Sequence, residues 1–395
     1  MKYSKRSQEI SPFYAMAFGE QAAKLESKGM HVVKLNLGEP DFGAPPGVLG
    51  AMASLANNQA LPYTSALGLP ELRAAIAEFY GNTQQIDLDS RRVVVTAGAS
   101  AALLLLSAAL VNSNDRVIMG DPCYPCNQHF ITAFGGKIQS VPTSSNTGFQ
   151  LNASLLSQYW NSDTKGLMLA TPSNPTGTSV GAVELKAMCE YAREKGAWRI
   201  IDEIYLNLHH QDTEQPPTTA LKFDNDAFIV NSFSKYFGMT GWRLGWCIVP
   251  TEAISVVEKL AQNYYICPST VAQKAALQCF TKDSIAVCES RRKVFVERKN
   301  QVVTAFDGGE LKDLSIPVMP DGAFYVYIDI KKTGLSAMTF CERALHEAHV
   351  ALTPGNDFGR QQADQFIRLS FATSESELGQ GLHRLKQFVK GLAHN

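Results

Sequence analysis

The sequence predicts an α/β protein: a large domain on a mostly parallel seven-stranded sheet flanked by helices, with a smaller α+β domain beside it. Three observations carry this expectation. Short β-rich runs alternate with helical patterns through the middle of the chain, the signature of strand–helix–strand units. Those runs are apolar throughout rather than alternating, as strands are when both faces of a parallel sheet are covered. After Pro250 the pattern changes to longer helical stretches, then to strands mixed with helices.

Seven runs read as strands of the large sheet: Val93–Thr96, Val117–Met119, Lys137–Val141, Leu167–Leu169, Trp198–Ile201, Phe228–Val230 and Leu244–Val249. Between them Ala101–Val111 and Ala182–Lys195 read as helices, the second with Val183, Leu185, Met188 and Tyr191 at helical spacing. Beyond Pro250, helical patterns cover Glu252–Tyr264, Thr270–Phe280 and Ser284–Phe306. Phe324–Ile330 and Phe366–Phe371 then read as strands, Ala337–His346 and Glu375–Lys390 as helices. The expected division is an N-terminal arm with part of the small domain over 1–47, the large domain over 48–285 and the small domain over 286–395.

Composition removes several function classes. A chain of 395 residues, 45% apolar, can bury a large core. Its net charge of -1 gives no electrostatic footprint for nucleic acid or an acidic membrane surface. The longest apolar stretch, Ala97 to Val111, is interrupted by Ser100 and Ser107 and reads as a buried helix, not a membrane span. With no signal-peptide core at the N-terminus, the expected location is the cytoplasm. Eight cysteines scattered singly are expected to be thiols. Cys123 and Cys126 have redox or zinc spacing, but no second pair completes a zinc site. The pair His209-His210 follows a strand-like segment and precedes a polar, proline-containing loop; no metal is expected there either.

Ligands of open α/β sheets bind beyond the carboxyl ends of the strands. Here those ends carry Gly98-Ala99-Ser100, Asp121-Pro122-Cys123-Tyr124, Asn174-Pro175-Thr176-Gly177, Asp202-Glu203-Ile204-Tyr205 and Ser232-Phe233-Ser234-Lys235. Such groups suit one anionic, aromatic ligand. A lone loop lysine is ordinarily a solvated charge, but Lys235 follows an apolar strand and has Phe233, Tyr236 and Phe237 as neighbours. That setting lowers an ammonium pKa, and a neutral amine is what Schiff-base chemistry needs.

The run Ser232-Phe233-Ser234-Lys235, followed by Gly241-Trp242-Arg243-Leu244-Gly245, resembles the lysine signature of the class I/II pyridoxal-phosphate aminotransferases of fold type I. Arg243 stands eight residues after the lysine (243 − 235), as in that family. Asn174 to Gly177 and Asp202 to Tyr205 resemble its other motifs in the same order. The likeness extends from Gly38-Glu39-Pro40-Asp41-Phe42 to Arg368-Leu369-Ser370.

The resemblance implies pyridoxal 5'-phosphate as cofactor and assigns roles. Lys235 carries the cofactor as a Schiff base and then serves as general base and acid. Asp202 pairs with the pyridinium nitrogen, where a turn or helix cap is the ordinary reading. Asn174 and Tyr205 hydrogen-bond the phenolic oxygen, and Tyr124 stacks on the ring with Cys123 and Cys126 merely flanking it. Gly98, Ala99 and Ser100 at a helix start, with Ser232, Ser234 and Arg243, hold the phosphate. Arg368, on a strand where it could instead be an edge residue, takes the substrate α-carboxylate, assisted by Asn174 and the main chain of Gly38. Tyr63, otherwise a core aromatic, reaches the phosphate of a neighbouring subunit's cofactor; Ser269 or Thr270 has weaker claim to the same role. That implies a homodimer with shared active sites.

The small-molecule partners implied are an amino acid and a 2-oxo acid. The apolar, aromatic segment Ser11-Pro12-Phe13-Tyr14 and the lack of an assignable second cation point to a neutral aliphatic or aromatic donor, with pyruvate or 2-oxoglutarate as acceptor. A fold type I lyase of the carbon–sulfur β-lyase kind shares these motifs and is the rival reading. A non-catalytic, aminotransferase-like regulator is the other; with Gly38 reached within forty residues, an N-terminal DNA-binding domain is not expected.

Overall fold

The computed structural model describes residues 1–57, 60–210, 217–307, 311 and 313–392. The polar stretch after His210, residues 211–216, lies outside the described residues. The chain begins with a short helix, Lys5–Glu9, and a longer one, Tyr14–Glu26, that buries Ala15, Phe18 and Ala22. Strand β1 (Val33–Lys34) follows, then helices Pro46–Leu55 and Pro70–Gln84. Both of these start on a proline, whose fixed φ and missing N–H suit the first helical position.

The large sheet comprises β2 (Val93–Thr96), β3 (Arg116–Asp121), β4 (Lys137–Pro142), β5 (Thr164–Ala170), β6 (Trp198–Asp202), β7 (Phe228–Ser232) and β8 (Gly245–Ile248). Its order is β2-β8-β7-β6-β5-β3-β4, and only β8 runs antiparallel to its neighbours. Each expected strand is present, with ends shifted by a few residues at most. Strands β2, β7 and β8 are buried along their whole length, which is why they read as continuous apolar runs. The reversed β8 starts where its neighbours end. Arg243, just ahead of it, therefore reaches the same edge as the carboxyl ends of β6 and β7.

Beneath the turn between β7 and β8 lies an aromatic cluster. Phe233 packs edge-on against Trp246 at 4.9 Å, and Phe237 meets Phe79 at 5.7 Å and Phe280 at 5.5 Å. Phe233 and Phe237 are fully buried, each worth about 2–3 kcal/mol of apolar burial. The Ser-Phe-Ser-Lys turn is thus anchored on both sides of Lys235.

The C-terminal part begins with a 26-residue helix, Lys282–Asp307. It continues with β9 (Tyr325–Asp329), β10 (Val350–Ala351), β11 (Thr353–Pro354) and β12 (Phe366–Ser370). A three-stranded antiparallel sheet has the order β11-β12-β9, and β1 pairs in parallel with β10. Two-residue strands carry no periodicity, so β1, β10 and β11 left no mark in the sequence pattern. The helix expected over Thr270–Phe280 is α-helical only to Ala276 and tightens to a 3₁₀ turn over Leu277–Phe280.

Candidate active site

A cavity of about 430 Å³ opens at the carboxyl edge of the large sheet. The helix that follows β2 contributes Ser100, the end of β6 contributes Asp202, the segments after β6 and β7 contribute Tyr205 and Lys235, and the C-terminal sheet contributes Tyr325 and Arg368. A larger cavity of about 790 Å³ under residues 4–14 shares only Phe13 with it. The chemically distinctive groups gather around the smaller one.

Lys235 Nζ donates to the carbonyl of Gly38 at 2.6 Å and sits 6.0 Å above the Phe324 ring. Desolvation is the main influence on the amine and lowers its pKa to about 8, with Arg368 and Arg243 adding to it and Glu39 and Asp202 opposing. Asp202, at the end of β6, is buried and accepts the Ile204 N–H at 3.1 Å. Its desolvation outweighs that hydrogen bond and the charge of Lys235, raising the carboxyl to about 6. A softened amine and a reluctant carboxylate thus face one cavity, as perturbed groups do in functional sites.

Arg368 is buried on β12, whose position in the middle of the C-terminal sheet removes the edge-strand alternative. Its Nη1 donates to Asn174 Oδ1 at 2.8 Å, and Nη2 donates to the Asn36 carbonyl and, at 3.3 Å, to Thr353 Oγ1. The guanidinium lies 4.6 Å from the Tyr325 ring centre and 4.7 Å from that of Phe358. Its Nε has no partner among the described residues.

At the end of β7, Ser232 Oγ donates to Ser234 Oγ at 2.9 Å. Gly98 precedes helix Ala99–Leu110 with φ 87°, and a Cβ there would stand 2.7 Å from Arg243 Nη2. The missing side chain is what lets the guanidinium close over the helix start, whose first N–H groups lack intrahelical partners. Arg243 itself has φ 51°, a left-handed conformation that costs an ordinary residue about 1 kcal/mol or more. Its Nη1 donates to the Thr240 carbonyl at 2.8 Å.

Tyr124 lines the cavity and meets Phe13 edge-on at 6.2 Å. Burial pushes the Cys123 thiol up to about 12 and also raises Cys126, which hydrogen-bonds Tyr124. Those directions are opposite to the depressed thiol of a redox pair. All eight cysteines are free, and no group of three or more metal-ligating side chains occurs among the described residues. Tyr63 is not in the cavity: it is 78% exposed, so the core alternative does not hold. Thr270 Oγ1 donates to the Pro62 carbonyl at 2.8 Å beside it, while Ser269 Oγ caps helix Thr270–Ala276 by accepting from Ala272 N–H.

Sequence reasoning missed Tyr325. Its hydroxyl pairs with that of Tyr205 at 2.8 Å, and its ring faces Arg368. A Cβ built on Gly38 would fall 1.8 Å from the Tyr325 oxygen, so Gly38 is needed for this hydroxyl as well as for close approach of main chain. Gly38→Ala is therefore expected to displace Tyr325, lowering stability by about 1–3 kcal/mol as overpacking does. Denaturant unfolding checks this; an unchanged midpoint would show that the segment absorbs the methyl freely.

Fold and site together define a fold type I α/β enzyme with a lysine, a carboxylate and a buried arginine around one cleft. The chain belongs to the class I and II aminotransferase family, whose model matches residues 30–385. That family is pyridoxal-phosphate-dependent. A valine–pyruvate aminotransferase of Mycobacterium tuberculosis is 35% identical over 96% of this chain and 97% of its own. A crystal structure of an aminotransferase from the same organism superposes with a TM-score of 0.94 at 33% identity, covering 99% of this chain and all of that one. The aspartate aminotransferase of Thermus thermophilus solved with maleate gives 0.91 at 30% identity, over 98% and 100%.

Proposed function

We propose that the chain uses pyridoxal 5'-phosphate to move the α-amino group of a neutral aliphatic or aromatic amino acid to a 2-oxo acid such as pyruvate or 2-oxoglutarate. The observation that carries this reading is the convergence of Lys235, Asp202 and Arg368 on one 430 Å³ cavity. The residues present fit the cofactor. Gly98, Ala99, Ser100, Ser232, Ser234 and Arg243 would hold its phosphate, Tyr124 its ring face, Asp202 its ring nitrogen, and Asn174 and Tyr205 its phenolic oxygen. Arg368 Nε, buried without a partner among the described residues, and the Asn174 amide beside Nη1 would form a seat for the donor's α-carboxylate.

When bound, the cofactor supplies an electron sink for a carbanion at the donor's α-carbon. Lys235 Nζ would hold it and then take and return the α-proton, a task that its pKa of about 8 suits. The Asp202 carboxylate would keep the ring nitrogen protonated. Arg368 orients the donor, and Phe13 with Tyr124 excludes water from the mouth.

The donor preference rests on the lining. Phe13, Met16, Leu37, Leu103 and Ile204 are apolar, and the lining cations are Lys235, Arg243 and Arg368, each already given a role. The valine–pyruvate relative supports this preference. Exposed Leu61, Tyr63, Tyr264 and Ile266 support a homodimer in which Tyr63 completes the partner's site. Pairing of β1 with β10 supports assigning residues 1–47 in part to the small domain. No described helix is long and apolar enough to cross a membrane, which suits the cytoplasmic location proposed here.

The test is a spectroscopic screen of the holoenzyme against single amino acids. Neutral donors should bleach the visible band of the bound cofactor, and turnover should continue only with a 2-oxo acid present. A dominant response to aspartate would overturn the donor preference. Ammonia release without an acceptor would overturn transfer itself.

A further inference from the structure

The pair His209-His210 takes no part in the chemistry above, yet His210 is buried. Its Nε2 lies 2.7 Å from the Ala323 carbonyl and its Nδ1 3.1 Å from that of Pro320. The imidazole thus lies between both ends of the turn that leads into β9 and Tyr325, with Nε2 placed to donate to the Ala323 carbonyl. Main-chain bonds hold the same turn: His210 N–H donates to Asp321 O at 2.8 Å, and His209 bridges Gly322. On its other side, the N–H groups of Asp321 and Gly322 both donate to the carbonyl of Gly177, at 3.0 and 2.9 Å. Gly177 closes the turn whose Asn174 meets Arg368.

The turn is unfavourable by itself. Ala323 has φ 55°, a left-handed conformation that L side chains rarely adopt. Gly322 packs so closely on Pro172 that a Cβ would stand 2.6 Å from its ring. A strained turn holds its shape only where its surroundings over-determine it. His210 supplies such a constraint at the carbonyl of the strained residue. The ring is fixed in turn by Phe371 at 5.9 Å, and the His209 carbonyl accepts from Arg292 at 3.0 Å. Burial keeps the imidazole down to about 4, so it is neutral in the working range and donates through one nitrogen.

We propose that His210 is a positioning residue for the active site: by holding the Pro320–Ala323 turn, it sets where Tyr325 places its hydroxyl against Tyr205 and its ring against Arg368. This rests on the cofactor-binding reading above, since Tyr205 is placed at the phenolic oxygen.

The experiment is a double-mutant cycle on the holoenzyme, read by pH titration of the bound cofactor's visible band, by donor KM and by thermal midpoint. His210→Phe keeps the ring packing and removes the donor; we expect the band's pKa to move by about half a unit or more and kcat/KM to fall about tenfold or more, mostly through KM. His210→Gln, which offers an amide near the Nε2 position, should restore most of both. Tyr325→Phe should show its own band shift, and on that background His210→Phe should add nothing to the band while still raising KM through the ring that faces Arg368. Phe371→Leu loosens the contact that fixes the imidazole and should move the band in the same direction as His210→Phe, by less. A His210→Phe protein with the wild-type band and KM overturns the proposal, as does an undiminished His210 effect on the band without the Tyr325 hydroxyl. A wild-type protein with no visible band overturns the cofactor reading instead.

Discussion

Lys235→Ala is expected to lower the transamination rate about 10⁴-fold or more while leaving the protein folded. The general base alone is worth about 10²–10⁴, and loss of covalent attachment adds to it. Four orders of magnitude correspond to about 5.5 kcal/mol of barrier. The side chain makes one hydrogen bond, to Gly38, and the turn is anchored by the rings of Phe233 and Phe237, so the fold does not depend on the amine. Lys235→Arg separates charge from chemistry: the guanidinium stays protonated and offers no neutral amine. In the wild type, capture of added cofactor should accelerate with pH up to the amine's pKa of about 8 and level off above it, because only the neutral form attacks. Stopped-flow absorbance of apoprotein mixed with pyridoxal 5'-phosphate reads this directly. A pH-independent rate, or an Ala variant that keeps the cofactor's covalent absorbance, would remove Lys235 from the role.

Why Lys235 was legible and Tyr325 was not is a matter of where the information lies. The strand ends bearing Ser100, Asp202 and Lys235 each combine an apolar run with a polar turn, a local signal, and parallel pairing brings those turns to one edge. Tyr325 belongs to an apolar strand like any core residue. What marks it is the absent Cβ of Gly38 and the hydroxyl of Tyr205, both distant in sequence. The β1–β10 pairing was hidden for the same reason, joining two residues to two others across most of the chain. His210 shows a third case. Its residue type gave no role in sequence, where no metal is expected, and only the fold brings the carbonyls of Pro320 and Ala323 to its ring.

Desolvation at the site has a second consequence, which Asp202 makes measurable. Replacing it with Asn should stabilise the cofactor-free protein while nearly abolishing its activity. The folded carboxyl titrates near 6, above its unfolded value of about 3.9, so the folded state holds the proton more tightly. An ionised Asp202 therefore costs stability: nothing below about pH 4, increasing through the interval, and in full above about pH 6. That difference corresponds to about 3 kcal/mol. Asn keeps the oxygen that accepts the Ile204 N–H and carries no charge to desolvate. At pH 8 the apo Asp202→Asn protein should thus unfold at higher denaturant, by up to about 2–3 kcal/mol, with no advantage near pH 4. With cofactor present the order should reverse, because only the carboxylate can pair with a protonated ring nitrogen. The rate should fall about 10²–10³-fold, the usual size of a lost preorganised charge. A variant less stable than wild type at pH 8, or equally favoured at both pH values, would show that Asp202 is held for the fold and not for the cofactor.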